Sequence, residues 1–156
     1  MRIRLLLAMS FLFCCIAINI NAQSKTYKQP LTVINYNKNV NASLTSEELN
    51  QIQEVYGNKA NEYVLSKPQR LRDVKNILRN RVKVVVFTNP KNQKECKTLS
   101  QVSLFNIYNK SLTRGVFNKL NFNPLKYNFE FYSRGTSMYR VDNTDYFIII
   151  KSQYQN

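Results

Sequence analysis

The sequence predicts an α+β fold, with two or three N-terminal helices packed on a mainly antiparallel sheet of four or five strands that ends in a C-terminal meander. Three observations predict it. Capped, helically periodic segments fill residues 44–80, a β-branched run follows at residues 82–87, and three strand-like runs separated by turn residues close the chain after residue 126. Helices first and hairpin-linked strands later is the order of α+β folds, whereas parallel sheets need the two to alternate. No internal repeat of roughly 20 to 50 residues is visible, which sets solenoids and propellers aside.

Residues 1–22 read as a secretory signal peptide. Arg2 and Arg4 supply the charged start, an apolar run extends from Leu5 to Ile18, and the exit Ile20-Asn21-Ala22-Gln23 suits cleavage after Ala22. A membrane anchor would need about 20 consecutive apolar residues, but Ser10 breaks this run and Asn19 ends it. A lipoprotein signal places a small residue just before its cysteine, whereas Cys14 follows Phe13 and Cys15 follows Cys14. Cleavage removes two of the 23 basic residues, so 21 remain against 9 acids and the exported product carries +12.

Residues 23–43 form a polar, extended lead-in, with Leu31-Thr32-Val33-Ile34 as a candidate edge strand. A single α+β domain is expected over residues 44–156. Its first helix should start at Ser46, because Thr45 and Glu48 have the spacing of a capping box and Leu44 can staple onto Leu49. Leu49, Ile52 and Tyr56 share a face with Val55 beside it, and Gly57 supplies the stop. A second, short helix is expected over residues 59–65. Pro68 suits a first helical turn, and Leu71, Val74 and Leu78 recur every three or four residues, so a third helix should reach about Asn80.

Residues 82–87 are too short for another helix and are bounded by Asn89-Pro90, which reads as a buried strand. A polar loop over residues 88–97 precedes an expected strand at 99–108, and residues 111–123 fit either a short helix or a loop. Residues 127–132, 138–141 and 146–151 are the three runs of the meander, separated by Arg134-Gly135 and by Asp142-Asn143-Thr144. Tyr127, Phe129 and Phe131 alternate with Asn128, Glu130 and Tyr132, which gives one apolar and one mixed side.

The chemistry is bounded mainly by absences. The chain has no histidine, the usual general base near neutral pH, so triads that depend on it are excluded. Cys/His zinc sites go with it, since the exported product keeps Cys96 alone. One cysteine also rules out a disulfide framework within the chain. Gly57, Gly115 and Gly135 each stand alone, so no glycine-rich loop can close around a phosphate. Neither metal nor cofactor is expected. A histidine-free hydrolase would use paired carboxylates, yet Glu47 and Glu48 open a helix, Asp142 and Asp145 bracket a turn, and Glu130 can be answered by Arg140.

Positive charge is the remaining signal. Arg72, Lys75 and Arg79 share a face of the third helix, with Lys83 just past its end. They read either as a solvated helix face or as an anion-binding strip for nucleic acid or anionic envelope components, with salt-sensitive binding. Cys96 reads as an incidental free thiol or as a thiolate favoured by Lys94 and Lys97, able to join two chains. Aromatic residues suggest core packing more than base stacking, since no RNA-binding sheet signature is present.

Short phrases give the chain a wider likeness. The exit Asn21-Ala22-Gln23, Leu44-Thr45-Ser46-Glu47-Glu48, Pro68-Gln69-Arg70-Leu71, Leu125-Lys126-Tyr127-Asn128-Phe129 and Tyr139-Arg140-Val141-Asp142-Asn143-Thr144-Asp145-Tyr146 together resemble small exported proteins of uncharacterised function from Bacteroidota of the flavobacterial type. The resemblance implies a Gram-negative periplasmic, cell-surface or extracellular location and brings no active site with it. The expected function is non-catalytic binding in the envelope, with an envelope protein or an anionic envelope component as partner. Polyanion binding through the basic helix and a carboxylate-dependent hydrolase are the alternatives.

Overall fold

In the computed structural model, residue 34 and residues 36–88 and 95–154 are described. The expected signal peptide, most of the candidate edge strand and the centre of the 88–97 loop lie outside the described residues. What is described is α+β, about three helices followed by an antiparallel sheet.

Helix α1 spans Ser46–Tyr56. The Thr45 hydroxyl accepts from the Glu48 amide (3.1 Å) and the Glu48 carboxylate accepts from the Thr45 amide (2.9 Å), which satisfies two donors that a bare helix start would leave open. Gly57 ends the helix at φ +54°, a conformation that a side chain would disfavour. A 3₁₀ turn at Gly57–Lys59 and a π-type segment at Asn61–Leu65 make the short second helix. Helix α2, Pro68–Asn76, begins with proline in its first turn and runs on into a π-type turn at Ile77–Arg81.

Ile52, Val55, Val64, Val74 and Ile77 from these segments bury together with Tyr56 and Leu125. Each fully buried aliphatic side chain contributes about 1.5–3 kcal/mol, far more than the local propensity of such short helices.

Strands β1 (Val82–Val86), β2 (Ser137–Arg140) and β3 (Tyr146–Ile150) form a sheet of order β1-β3-β2, antiparallel throughout. Ile148 lies opposite both Val84 and Tyr139, so this face carries the second core, with Leu99, Val102, Tyr127, Phe129 and Val141. On the other face Phe147 is also fully buried, with Phe87 edge-on at 5.2 Å and the Arg140 guanidinium 5.7 Å above its ring. The β2–β3 connection turns at Asn143, at φ +55°. Val82 and Phe131 pack against both cores and join them.

Two expected strands are replaced. Residues 99–108 open with a 3₁₀ turn at Leu99–Gln101 and then contribute a single bridge, Leu104 to Tyr127. Residues 127–132 keep the predicted aromatic alternation but form no ladder. The Phe129 amide donates to the Tyr127 carbonyl and the Phe131 amide to the Phe129 carbonyl, both at 2.8 Å. Such bonds across two residues are those of γ-turns, and they consume the groups a sheet neighbour would need. Among the described residues the sheet therefore has three strands instead of four or five, and its C-terminal part is a hairpin. Residues 111–123 are an irregular loop.

The lead-in is not merely extended. The described residues belong to one compact unit, Thr32–Asn156. Within it a 3₁₀ turn at Lys38–Asn41 packs against α2 with Val40 buried, and the Tyr36 hydroxyl donates to Asp73.

Candidate functional site

Helical spacing brings Arg72, Lys75 and Arg79 to one side of α2 and its extension, as the sequence implies, but that side is covered by the chain's own lead-in. Lys75 is buried and its ammonium donates to the Ala42 carbonyl (2.7 Å). Arg79 grips Glu48 with two charge-assisted bonds of 2.6 Å and also donates to the Asn39, Ala42 and Ser43 carbonyls. Arg79 beside it holds the Glu48 carboxyl below the ordinary glutamate range, and Glu48 in turn raises Arg79. Arg72 lies 5.0 Å over the Tyr36 ring and reaches Asn41 at 3.5 Å, with its side chain exposed. Lys83 is exposed on β1, apart from the other three. The strip acts chiefly as an internal clamp that fastens residues 36–43 to α2.

Cys96 is half-buried, and burial pushes its thiol up, against a smaller opposing influence of Arg140. A thiol held up in this way is less reactive than the thiolate its lysine neighbours suggested.

The carboxylates are engaged locally. Glu54 accepts from Asn123 (2.8 Å) and Lys126 (2.7 Å), Glu62 pairs with Lys59, Asp142 accepts from Ser100, and Glu130 accepts from Ser137 rather than Arg140. Among the described residues no group of three or more ligating side chains converges on a metal position.

The best-formed concavity lies elsewhere, where α1, α2 and residues 125–132 meet. It encloses about 250 Å³, and its apolar wall is built from Val74, Ile77, Leu125 and Phe129 with Phe105 and Phe131. Local rules position each part. Arg70, Val74 and Ile77 stand at i, i+4 and i+7 and so share one helix face, while Tyr56 arrives from the last turn of α1. Tyr56 is held by Tyr108, stacked at 5.1 Å, and by Phe105 at 5.9 Å. Phe131 is fixed from behind, because buried Arg81 donates to its carbonyl and to that of Lys151 (3.0 Å).

Arg70 is the polar element of this cleft, together with Asn128. Its guanidinium donates to the Tyr132 hydroxyl (2.6 Å) and to the Tyr56 hydroxyl (3.2 Å). The ion pairs among the described residues are Lys59–Glu62, Glu48–Arg79 and Glu54–Lys126, and none includes Arg70. A half-buried cation is thus answered only by neutral hydroxyls. Sequence reasoning passed over Arg70, although a signal was available: it sits four residues before Val74, on the face that the apolar stripe assigns to the core.

No protein family, curated protein or solved structure matches the chain.

Proposed function

We propose that the protein is exported to the periplasm, cell surface or surroundings of a Gram-negative cell and binds there without catalysis, through the aromatic cleft. The leader-like residues 1–22 and the resemblance to small exported Bacteroidota proteins support the location. One observation carries the binding reading. The cleft is a preformed, mainly aromatic concavity with a small number of polar groups, the combination that ligand sites share. At about 250 Å³ it lies just under the common range of roughly 300–1,000 Å³, so it suits a small, compact ligand.

The basic helix supports polyanion binding less well, since Lys75 and Arg79 are committed to internal acceptors. Carboxylate chemistry has little footing in the cleft, whose lining contains no acid.

A neutral aromatic fragment, 3-phenylpropionamide, tests the cleft. Titrated into the full chain, it should shift the ring resonances of Tyr56, Phe105 and Phe129, and Val74→Phe, which fills the cavity, should abolish those shifts. Shifts confined to other residues, or unaltered in Val74→Phe, would remove the cleft as the site.

A further inference from the structure

We infer that the cleft selects an amphipathic monocarboxylate, with its apolar ring or short chain against the aromatic wall and its carboxylate on Arg70. This rests on the cleft being the binding site and adds the chemistry of the ligand.

Four observations converge on an anion with a single charge. Arg70 lines the cleft but forms no ion pair among the described residues, so its positive charge is met by two neutral oxygens. A guanidinium has five N–H donors in a planar fork that fits a carboxylate with two parallel bonds. The two bonds to Tyr132 and Tyr56 leave donors over, and each of those hydroxyls, while accepting from Arg70, keeps its own proton to donate. A carboxylate at this point would therefore receive bonds from a cation and from two hydroxyls.

The position of Arg70 in the helix points the same way. It is in the first turn of α2, where the helix dipole disfavours a cation. That turn contains no acid, and Lys67 at the N-cap provides no side-chain cap. An anion bound here answers the arginine and the unopposed helix start together.

Charge count decides between a monoanion and a dianion. Arg70 is the cation in the cleft lining. Nearby Lys126 is paired with Glu54, and the Arg81 guanidinium donates to carbonyls behind the wall. A phosphate monoester would bring a second charge into apolar surroundings without a partner, which is unfavourable. The wall, with Phe105, Phe129 and Phe131 among its residues, favours an apolar body over a sugar or peptide.

The test compares three probes of one shape on the full chain by calorimetric titration: 3-phenylpropionate, its neutral amide and phenethylammonium. Wild type should bind the carboxylate at least about ten-fold more tightly than the amide, as expected for a charge-assisted pair, and should bind the ammonium most weakly. Arg70→Gln should bring carboxylate and amide within about two-fold of each other while amide binding persists. Tyr132→Phe, an exposed change that leaves the core untouched, should reduce the carboxylate preference without erasing it. Equal wild-type affinity for carboxylate and amide, both lost in Val74→Phe, would overturn the monocarboxylate inference and leave the cleft as a neutral site. Failure of all three probes to bind wild type would overturn the cleft reading and this inference with it. Because the wild-type ratio needs no variant, misfolding of Arg70→Gln leaves the inference open to refutation.

Discussion

Arg79→Met removes one partner of the Glu48–Arg79 pair and separates the clamp from the surface-strip reading of the basic helix. The side chains of Arg79 and Glu48 are only 13% and 12% exposed, and both guanidinium–carboxylate contacts are 2.6 Å. Breaking a buried pair costs about 3–5 kcal/mol because a charge is left without a partner, whereas exposed pairs are worth about 0.2–1 kcal/mol. The residual exposure places this pair at the low end of the buried class. The bonds from Arg79 to the Ala42 and Ser43 carbonyls are lost with it, so a destabilisation of about 3 kcal/mol is expected, or roughly 10 °C in Tm for a domain of this size.

Urea unfolding followed by far-UV circular dichroism measures it, with Glu48→Gln as the second arm of a double-mutant cycle. The coupling between the two should exceed about 1 kcal/mol. Acid adds a second readout. Since Arg79 lowers the Glu48 value on folding, the contribution is complete above the ordinary glutamate value of about 4.3 and is lost as pH falls through the lower folded value. Arg79→Met should lack that portion of the acid sensitivity. A loss below about 1 kcal/mol with no coupling would refute the clamp and return Arg79 to the class of exposed, available cations.

Arg70→Leu should leave stability unchanged or raise it by up to about 1 kcal/mol, because it removes a half-buried charge that no carboxylate answers; a melt lowered by many degrees would make Arg70 structural. Ile148→Ala should cost about 2–5 kcal/mol in urea unfolding, since this fully buried residue joins the neighbours on both sides of β3, and a smaller loss would mean that the second core relaxes around it. Tyr36 should ionise late in an ultraviolet titration, near its value of about 12, because burial and then the hydrogen bond to Asp73 push it up. Its stabilising share is whole below the ordinary tyrosine value of about 10 and is lost as pH rises toward 12; Asp73→Asn should bring the transition down. Cys96 should react with iodoacetamide at neutral pH more slowly than free cysteine, and a faster reaction would contradict the upward shift of its thiol.

The sequence by itself determined those parts whose signals and partners are neighbours in the chain. Thr45 and Glu48 are three residues apart, Pro68 presets its own φ, and Asp142-Asn143-Thr144 turns β2 into β3, so helix starts and the hairpin follow from local chemistry. The β-branched run of β1 was legible for the same reason. Only the tertiary structure decided what each exposed-looking or alternating segment would meet. Residues 127–132 have a strand's alternation, but alternation specifies two faces and not a bonded neighbour. Their amides close γ-turns instead, and the aromatic side chains turn to the cleft. Lys75 and Arg79 look like solvent-facing cations until residues 36–43, more than 30 positions earlier, fold over them. Arg70 gains its meaning only when Tyr132, 62 residues later, closes the cleft mouth. Local pattern fixes which backbone geometry is cheap, whereas the partner of a charge or of an open strand edge is set by long-range packing that no short window of sequence contains.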